Sequence, residues 1–323
     1  MREPSISVVI PSHRRPALVQ RSVRSALAQT FTDLEVIVVL DDADAESEAQ
    51  LSALDDPRLR VIPVREPVGG SEARNIGIRS ARTDWVALLD DDDEWFPQKL
   101  AKQIVVAYTS RHQYPIVASA VIARTPGADL RWPRKIPYAP LSEYLFVRNS
   151  LFQGEALLQT STLLTKRDLL LRVPFTRGLR RHQDWDWILH ADEVPGVGVE
   201  FINEPLAIWY IDDPYSPLKT QYHWRYSLEW MRANRRLLTP KAYAGLSAVT
   251  LSAQASWQND WKAFFPLLRE TVTGGKPRAM DLLLFFAMWF VPRGVRRSIR
   301  SFWQKEPSRN PLKPARGFET RFV

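Results

Sequence analysis

The chain has 323 residues, 45% of them hydrophobic and 25% charged, which suits one large globular domain or a domain with a helical appendage. It contains no cysteine, so disulfides, thiolate metal sites and cysteine nucleophiles are excluded, and any metal must sit on oxygen or imidazole. The net charge of +8 is not spread out: from Lys276 onward eleven basic residues stand against three acidic ones, the rest of the chain balances, and no nucleic-acid partner is expected.

The start, Met1-Arg2-Glu3-Pro4, runs directly into an apolar strand-like segment, so export by a signal peptide is not expected. Four short runs rich in β-branched and aliphatic residues read as buried strands: Ile6 to Ile10, Leu34 to Leu40, Leu59 to Val64 and Trp85 to Leu89. Between them, Ala17 to Gln29, Ala45 to Leu54 and Ser71 to Ser80 are long enough for crossover helices. This β-α-β-α-β-α-β order implies right-handed crossovers and a parallel, Rossmann-like sheet flanked by helices, which binds ligands at the carboxyl ends of its strands. The polar clusters Ser12 to Arg15, Asp41 to Asp44 and Asp90 to Asp93 all follow strands.

In the middle third, Ile116 to Ile122 and Leu157 to Leu164 read as strands and Lys166 to Leu171 as a short helix, with a proline-rich, loop-like segment from Pro126 to Pro140. Gln183 to Asp192 reads as a helix, and Glu200 to Ile202 and Leu206 to Tyr210 as closing strands. After Pro217 the spacing predicts helices at Gln221 to Leu238, Lys241 to Trp257 and Trp261 to Thr273. Leu282 to Val291 is almost wholly apolar and is followed by Arg293, Arg296, Arg297 and Arg300. Ten residues cannot span a bilayer, which needs about 20, so this stretch is either an interfacial segment with a basic flank or a core helix with a solvated tail.

Asp90-Asp91-Asp92-Asp93-Glu94 is the strongest chemical signal. Five adjacent acids repel one another unless a cation neutralises them, and magnesium or manganese characteristically shares a few carboxylates with substrate phosphates. The other reading, a solvated acidic turn, fits poorly with a strand end leading into Trp95-Phe96-Pro97. Asp41 is placed to accept hydrogen bonds from a base or ribose, whereas Asp44 precedes a helix and suits an N-cap. Gly69-Gly70 opens the third helix, where backbone N–H groups favour phosphate, and Arg74 on its first turn can contact a phosphate or a carboxylate. A second acid cluster, His182-Gln183-Asp184-Trp185-Asp186-Trp187, lies about ninety residues downstream; Asp184 and Asp186 point to different sides of a helix, so one of them faces a site. Its tryptophans suit sugar rings as well as cores.

These residues resemble the family-2 glycosyltransferases, which have the GT-A fold. The likeness rests on Ser7 to Arg15, Ser25 to Thr30, Glu35 to Val39 with Asp41, Gly70 to Gly77, and Leu89 to Leu100, and more loosely on His182 to Trp187. It implies that Pro11 and His13 line a nucleobase pocket, with Arg15 on the same nucleotide side, that Asp41 bonds the base, and that Arg74 lies near the base or diphosphate. Asp90 matches the first acid of the family's DxD motif and Asp92 its metal ligand, with Asp91 toward the ribose or donor sugar and Asp93 solvated. Asp184 matches the catalytic base. Two departures stand out: Gln183-Asp184 replaces Glu-Asp, which makes Asp186 or His182 a candidate to share the base role, and Asp41-Asp42-Ala43 replaces Asp-Gly-Ser.

The resemblance implies an inverting, Mn2+- or Mg2+-dependent transfer from a nucleotide diphosphate-sugar, UDP- or dTDP-linked, to a glycan or lipid-linked acceptor in surface-polysaccharide assembly. It also implies a cytoplasmic enzyme in peripheral contact with an anionic membrane face. The expected organisation is a GT-A domain over 1–215, with 1–112 the donor half and 113–215 the acceptor half, a helical region over 216–303, and a basic tail over 304–323. Three rivals remain: a phosphohydrolase using Asp90 and Asp92, a nucleotidyltransferase on a related sheet, and a non-catalytic sugar-binding module.

Overall fold

The computed structural model describes residues 5–42, 44–125, 127–150, 154–211, 224–292 and 294–295. The expected boundary at 215/216, the expected start of a helix at Gln221, the tail over 304–323 and the arginines Arg293, Arg296, Arg297 and Arg300 lie outside them.

The first four strands form as the apolar runs require: β1 (Ile6–Ser12), β2 (Leu34–Asp41), β3 (Leu59–Val64) and β4 (Trp85–Leu88). They are parallel, in the order β3-β2-β1-β4. Successive side chains of a strand point to opposite faces. Ile6, Val8 and Ile10 therefore pack with Val19, Val23 and Ala26 of α1 (Pro16–Leu27), while Val9 packs with Ala73 and Ile78 of α3 (Gly70–Ser80) on the other side. Both faces of β1 are sealed, which is why its sequence is mostly apolar, with Val8, Val9 and Ile10 in succession, rather than alternating. Each such fully buried side chain contributes about 1.5–3 kcal/mol. Gly77 allows the close approach of α3, since a Cβ there would lie 2.4 Å from Val9 Cγ1. The short α2 (Ala45–Ser52) is capped by Asp44, whose carboxylate accepts from the Ser47 amide at 3.1 Å, as its position predicts.

Beyond β4 the sheet becomes mixed. The two-residue β5 (Glu94–Trp95) and α4 (Lys99–Thr109) are followed by β6 (Tyr114–Thr125), β7 (Ala128–Trp132) and α5 (Leu141–Phe146). Then come β8 (Leu164–Lys166), α6 (Arg167–Arg172), α7 (Gln183–Asp192) and β9 (Val197–Tyr210). β8 is antiparallel to β4 and β6, and β6 is parallel to β9, which returns to pair with β5. The two expected closing strands are one: Pro205 has no N–H to donate, and the chain absorbs it as a register shift opposite Ser119 to Val121 without ending the strand. The strand expected over Leu157 to Leu164 is a 3-10 turn, Thr160–Thr162, with β8 only after it, because the side chains of Gln159 and Ser161 are drawn to Asp93 and that of Thr160 to Asp184.

The C-terminal helices are α8 (Trp224–Ala233), then α9 (Pro240–Gly245), a π turn over Leu246–Leu251 and α10 (Ser252–Trp257) running on from one another. α11 (Phe264–Gly274) and α12 (Ala279–Phe290) complete them. They build a separate apolar cluster around Trp224, Trp230, Met231, Tyr243, Leu267 and Phe285, joined to the α/β part through Phe146 and Leu189. The apolar stretch ending at Val291 is therefore half a core helix: Leu284, Phe285, Met288 and Trp289 are buried, whereas Leu283, Phe286 and Phe290 are exposed. Among the described residues no helix is long and apolar enough to cross a membrane.

Candidate active site at the carboxyl ends of the parallel strands

The strand order reverses between β1 and β4, so the segments after these two strands line one crevice. The segment after β1 carries His13 and Arg15, and the segment after β4 carries Asp90 to Asp93. α1 fixes the acid loop from beneath: the buried Ser22 hydroxyl bonds the carbonyl of Asp91 at 2.8 Å and of Asp93 at 2.6 Å. Ser12 Oγ donates to Asp91 Oδ2 at 2.8 Å, and the Arg15 guanidinium reaches Asp91 Oδ1 and Asp92 Oδ2 at 3.1 Å each. Arg15 thus sits on the acid run and supplies part of its counter-charge.

Oxygens of Asp90, Asp92 and Asp93 lie within 4.8 Å of one another, close enough for one cation to bridge them. Burial, then the charges of Asp91 and Asp90, push the Asp92 carboxyl up to about 7. Burial also raises Asp91, and burial followed by the Asp92 charge raises Asp93 well above the ordinary range. Asp93 is not solvated, contrary to expectation: it is 1% exposed, and its Oδ2 accepts from Gln159 Nε2 at 2.5 Å and Ser161 Oγ at 2.6 Å. The side chain turns inward because the Gln159 to Thr162 turn brings donors to it. Its Oδ1 is buried without a hydrogen-bond partner among the described residues, which fits a site built for a positive ligand.

Asp41 is buried at the end of β2, and its two carboxylate oxygens accept from the amides of Val68 (2.6 Å) and Gly69 (2.9 Å). It therefore shapes the loop that opens α3, with lone pairs left over for a base. Gly69 has φ +82°, a conformation only glycine adopts without strain, and it stands at the N-cap of α3. The exposed His13 bonds the Asp41 carbonyl through Nδ1, and Pro11 is buried in β1 behind it.

Arg74 is buried between the two acid clusters. It donates through Nη2 to Asp90 Oδ1 and through Nη1 to Gln183 Oε1, both at 2.5 Å. Asp184 is half-buried on the first turn of α7 and accepts the Thr160 hydroxyl on Oδ1 and the Thr160 amide on Oδ2 at 3.4 Å. Burial, then the Asp90 charge, raises its carboxyl to about 6, a value suited to a proton acceptor near neutral pH. One turn, Gln159 to Thr162, thereby holds both clusters: Thr160 bonds Asp184, while Ser161 bonds Asp93 and receives the Asp90 amide at 3.0 Å. Sequence reasoning assigned this turn no function. Its signal was present, as four polar residues interrupting an apolar run.

The other members of the second cluster face away from the crevice. Asp186 is buried and accepts from Thr176 Oγ1 at 2.6 Å and the Trp230 indole N–H at 2.8 Å. His182 has φ +67°, is stacked on Trp185 at 4.7 Å, lies tilted against Trp230 at 4.9 Å, and bonds Ser227 Oγ at 2.8 Å. Burial, then Arg181, lowers it to about 3, so it stays neutral at working pH. Neither is placed to share a base role, because both are held by α8. The tryptophans are likewise packing groups: Trp187 is buried and stacked on Phe175, and Trp185 lies edge-on to Phe146.

Residues 7–178 match the family model for glycosyl transferase family 2. Over 247 residues the chain is 28% identical to the amylovoran biosynthesis glycosyltransferase AmsB of Erwinia amylovora, covering 74% of this chain and 80% of that protein. Among solved structures it is similar to the mannosyltransferase PcManGT from Pyrobaculum calidifontis in complex with GDP-Man and Mn2+ (TM-score 0.52, 16% identity, 94% of this chain and 88% of the other). It is also similar to residues 1–349 of S. aureus TarS in complex with UDP (TM-score 0.52, 13% identity, 91% of this chain and 92% of the other). At these identities the likeness to the two structures concerns the fold.

Proposed function

The chain belongs to glycosyl transferase family 2, and from that premise we propose that it inverts the anomeric carbon while moving a sugar from a UDP- or dTDP-linked donor to a hydroxyl of a glycan or lipid-linked acceptor. The observation that carries this reading is the turn around Thr160 and Ser161, which ties Asp184 to the acid run across the crevice. The base stands on one wall and the diphosphate-binding acids on another, as an in-line displacement requires.

Asp90, Asp92 and Asp93 fit a divalent cation, Mn2+ or Mg2+, with Asp92 its principal ligand and Asp93 Oδ1 a buried oxygen in want of a partner. A cation held there supplies Lewis-acid stabilisation of the departing diphosphate charge. Asp91 faces the ribose or donor sugar, and Arg74 stands beside the diphosphate. His13 and Pro11 border the base, and Asp41 serves it chiefly by fixing the Gly69 loop. Asp184 takes the proton of the acceptor hydroxyl as its oxygen bonds the anomeric carbon and the bond to the nucleoside diphosphate breaks. Family membership replaces the phosphohydrolase and nucleotidyltransferase readings.

The name of AmsB and the nucleotide complexes of PcManGT and TarS support a role in polysaccharide assembly from a nucleotide sugar. The basic excess after Lys276 supports peripheral contact with the anionic cytoplasmic face of a membrane. The metal assignment is tested by sugar transfer in Asp92→Ala. We expect a loss of roughly 10²-fold or more and loss of Mn2+-dependent thermal stabilisation. Wild-type transfer with that stabilisation intact would remove Asp92 from the metal.

A further inference from the structure

We propose that the exposed aromatic face shared by α11 and α12 is a docking surface for an anionic lipid bilayer; this rests on the membrane-face reading above and names the surface that would realise it. On α11, Phe265, Arg269 and Val272 are exposed and spaced four and three residues apart, so they form one stripe. On α12, Leu283, Phe286 and Phe290 form another. Phe265 is 76% exposed, Phe290 62% and Leu283 56%. The stripes are not scattered residues, because Phe264 joins them, its ring lying 5.2 Å from Phe265, 6.3 Å from Phe286 and 5.7 Å from Phe290. Trp261, half-exposed, extends the face at 5.9 Å from Phe290. Both helices already bury their other faces, through Leu267 and Thr271 on one and Leu284, Phe285 and Met288 on the other, so this apolar surface is surplus to the fold.

The charges around the face select the occupant. Lys262 and Arg269 are exposed on it, and Lys276 lies between the two helices. The acids of α11 and α12 are Glu270 and Asp281, and each is held by an arginine, Arg232 and Arg278 respectively. The chain then continues into the basic run from Arg293. Aromatic rings with basic flanks match the boundary between acyl chains and anionic headgroups. A second copy fits less well, because pairing the face with itself sets the same basic groups against one another. Through Trp230 and Asp186 this helical unit also grips α7, the helix that carries Asp184.

The test is co-sedimentation of the full chain with vesicles of phosphatidylglycerol and phosphatidylcholine, against vesicles of phosphatidylcholine alone, for the wild type, a Phe265→Ser/Phe286→Ser/Phe290→Ser variant and the single Phe265→Ser variant. We expect wild-type binding to the anionic vesicles, about tenfold or greater loss in the triple variant and a smaller loss in the single one, with nucleotide-sugar binding retained. If the wild type binds and folded variants bind equally, the surface assignment is overturned while the membrane reading stands. If the wild type binds neither vesicle, both fail. A wild-type dimer that the variants convert to monomer without a change in vesicle binding would assign the face to a second copy. Should the triple variant misfold, the single variant decides, since Phe265 is largely exposed.

Discussion

The crevice at the strand ends and the C-terminal helical unit hold opposite sides of the same helix, and they do so with opposite chemistry. On the crevice side, α7 offers Asp184 to a hydroxyl, an amide and the field of Arg74 and Asp90. On the helical side it offers His182, Trp185 and Asp186 to Trp230 and Ser227, in a closely packed aromatic cluster. Two carboxylates two residues apart therefore differ because of what they face. Asp184 is pushed up in pKa and left partly accessible, whereas Asp186 is satisfied by donors and buried. The helix that exposes Asp184 to the crevice is fixed through Asp186.

That contrast is broken most severely at Trp230. Trp230→Ala removes a buried ring and leaves Asp186 without its indole donor, so a loss of about 3–5 kcal/mol is expected. Denaturant unfolding would check this; a loss below about 1 kcal/mol would mean that the helical unit does not fix α7. A smaller effect is expected for Thr160→Val, which removes the hydroxyl that lowers the Asp184 pKa. Transfer should fall about tenfold at pH 6.5, and the acid limb of the pH–rate profile should move to higher pH, with little change in thermal stability. An unmoved limb would detach Thr160 from the base.

The wild-type pH profile sharpens the same point by its sign. Folding raises Asp184 from 3.8 to about 6, so the native state holds its proton where the unfolded chain has lost it. Between those values the Asp184 contribution makes the fold less stable as pH rises, by linkage, while transfer gains because the base becomes ionised. Activity of the metal-loaded protein should rise across this window while the melting temperature of the metal-free protein falls; parallel curves would assign the acid limb to another group.

The fold's first half was legible because β1, β2 and β4 are largely sealed on both faces, and such strands announce themselves as mostly apolar runs, interrupted here at Ser7 and Glu35, which bond each other. The acid run and the second acid cluster stand out in the sequence by residue type, and the fold brings Asp93 and Asp184 to the one turn at Thr160 and Ser161. What was not legible depends on contacts distant in sequence. Gln159 to Thr162 looked like part of a strand because its partners are Asp93 and Asp184, and Asp93 looked solvated until that turn reached it. The tryptophans of α7 carry no sequence mark that separates a sugar platform from a packing ring. Likewise, Leu282 to Val291 offers the same apolar letters to core and solvent, and only the packing of α12 divides them.

The most direct test of the divided helix compares Asp184→Asn with Asp186→Asn, measuring sugar transfer and melting temperature on the same preparations. The account predicts that Asp184→Asn loses transfer by roughly 10²–10⁴-fold at an unchanged or higher melting temperature. It predicts that Asp186→Asn melts several degrees lower yet keeps most of its turnover while folded. The reverse pattern, with transfer lost in Asp186→Asn and kept in Asp184→Asn, would contradict it.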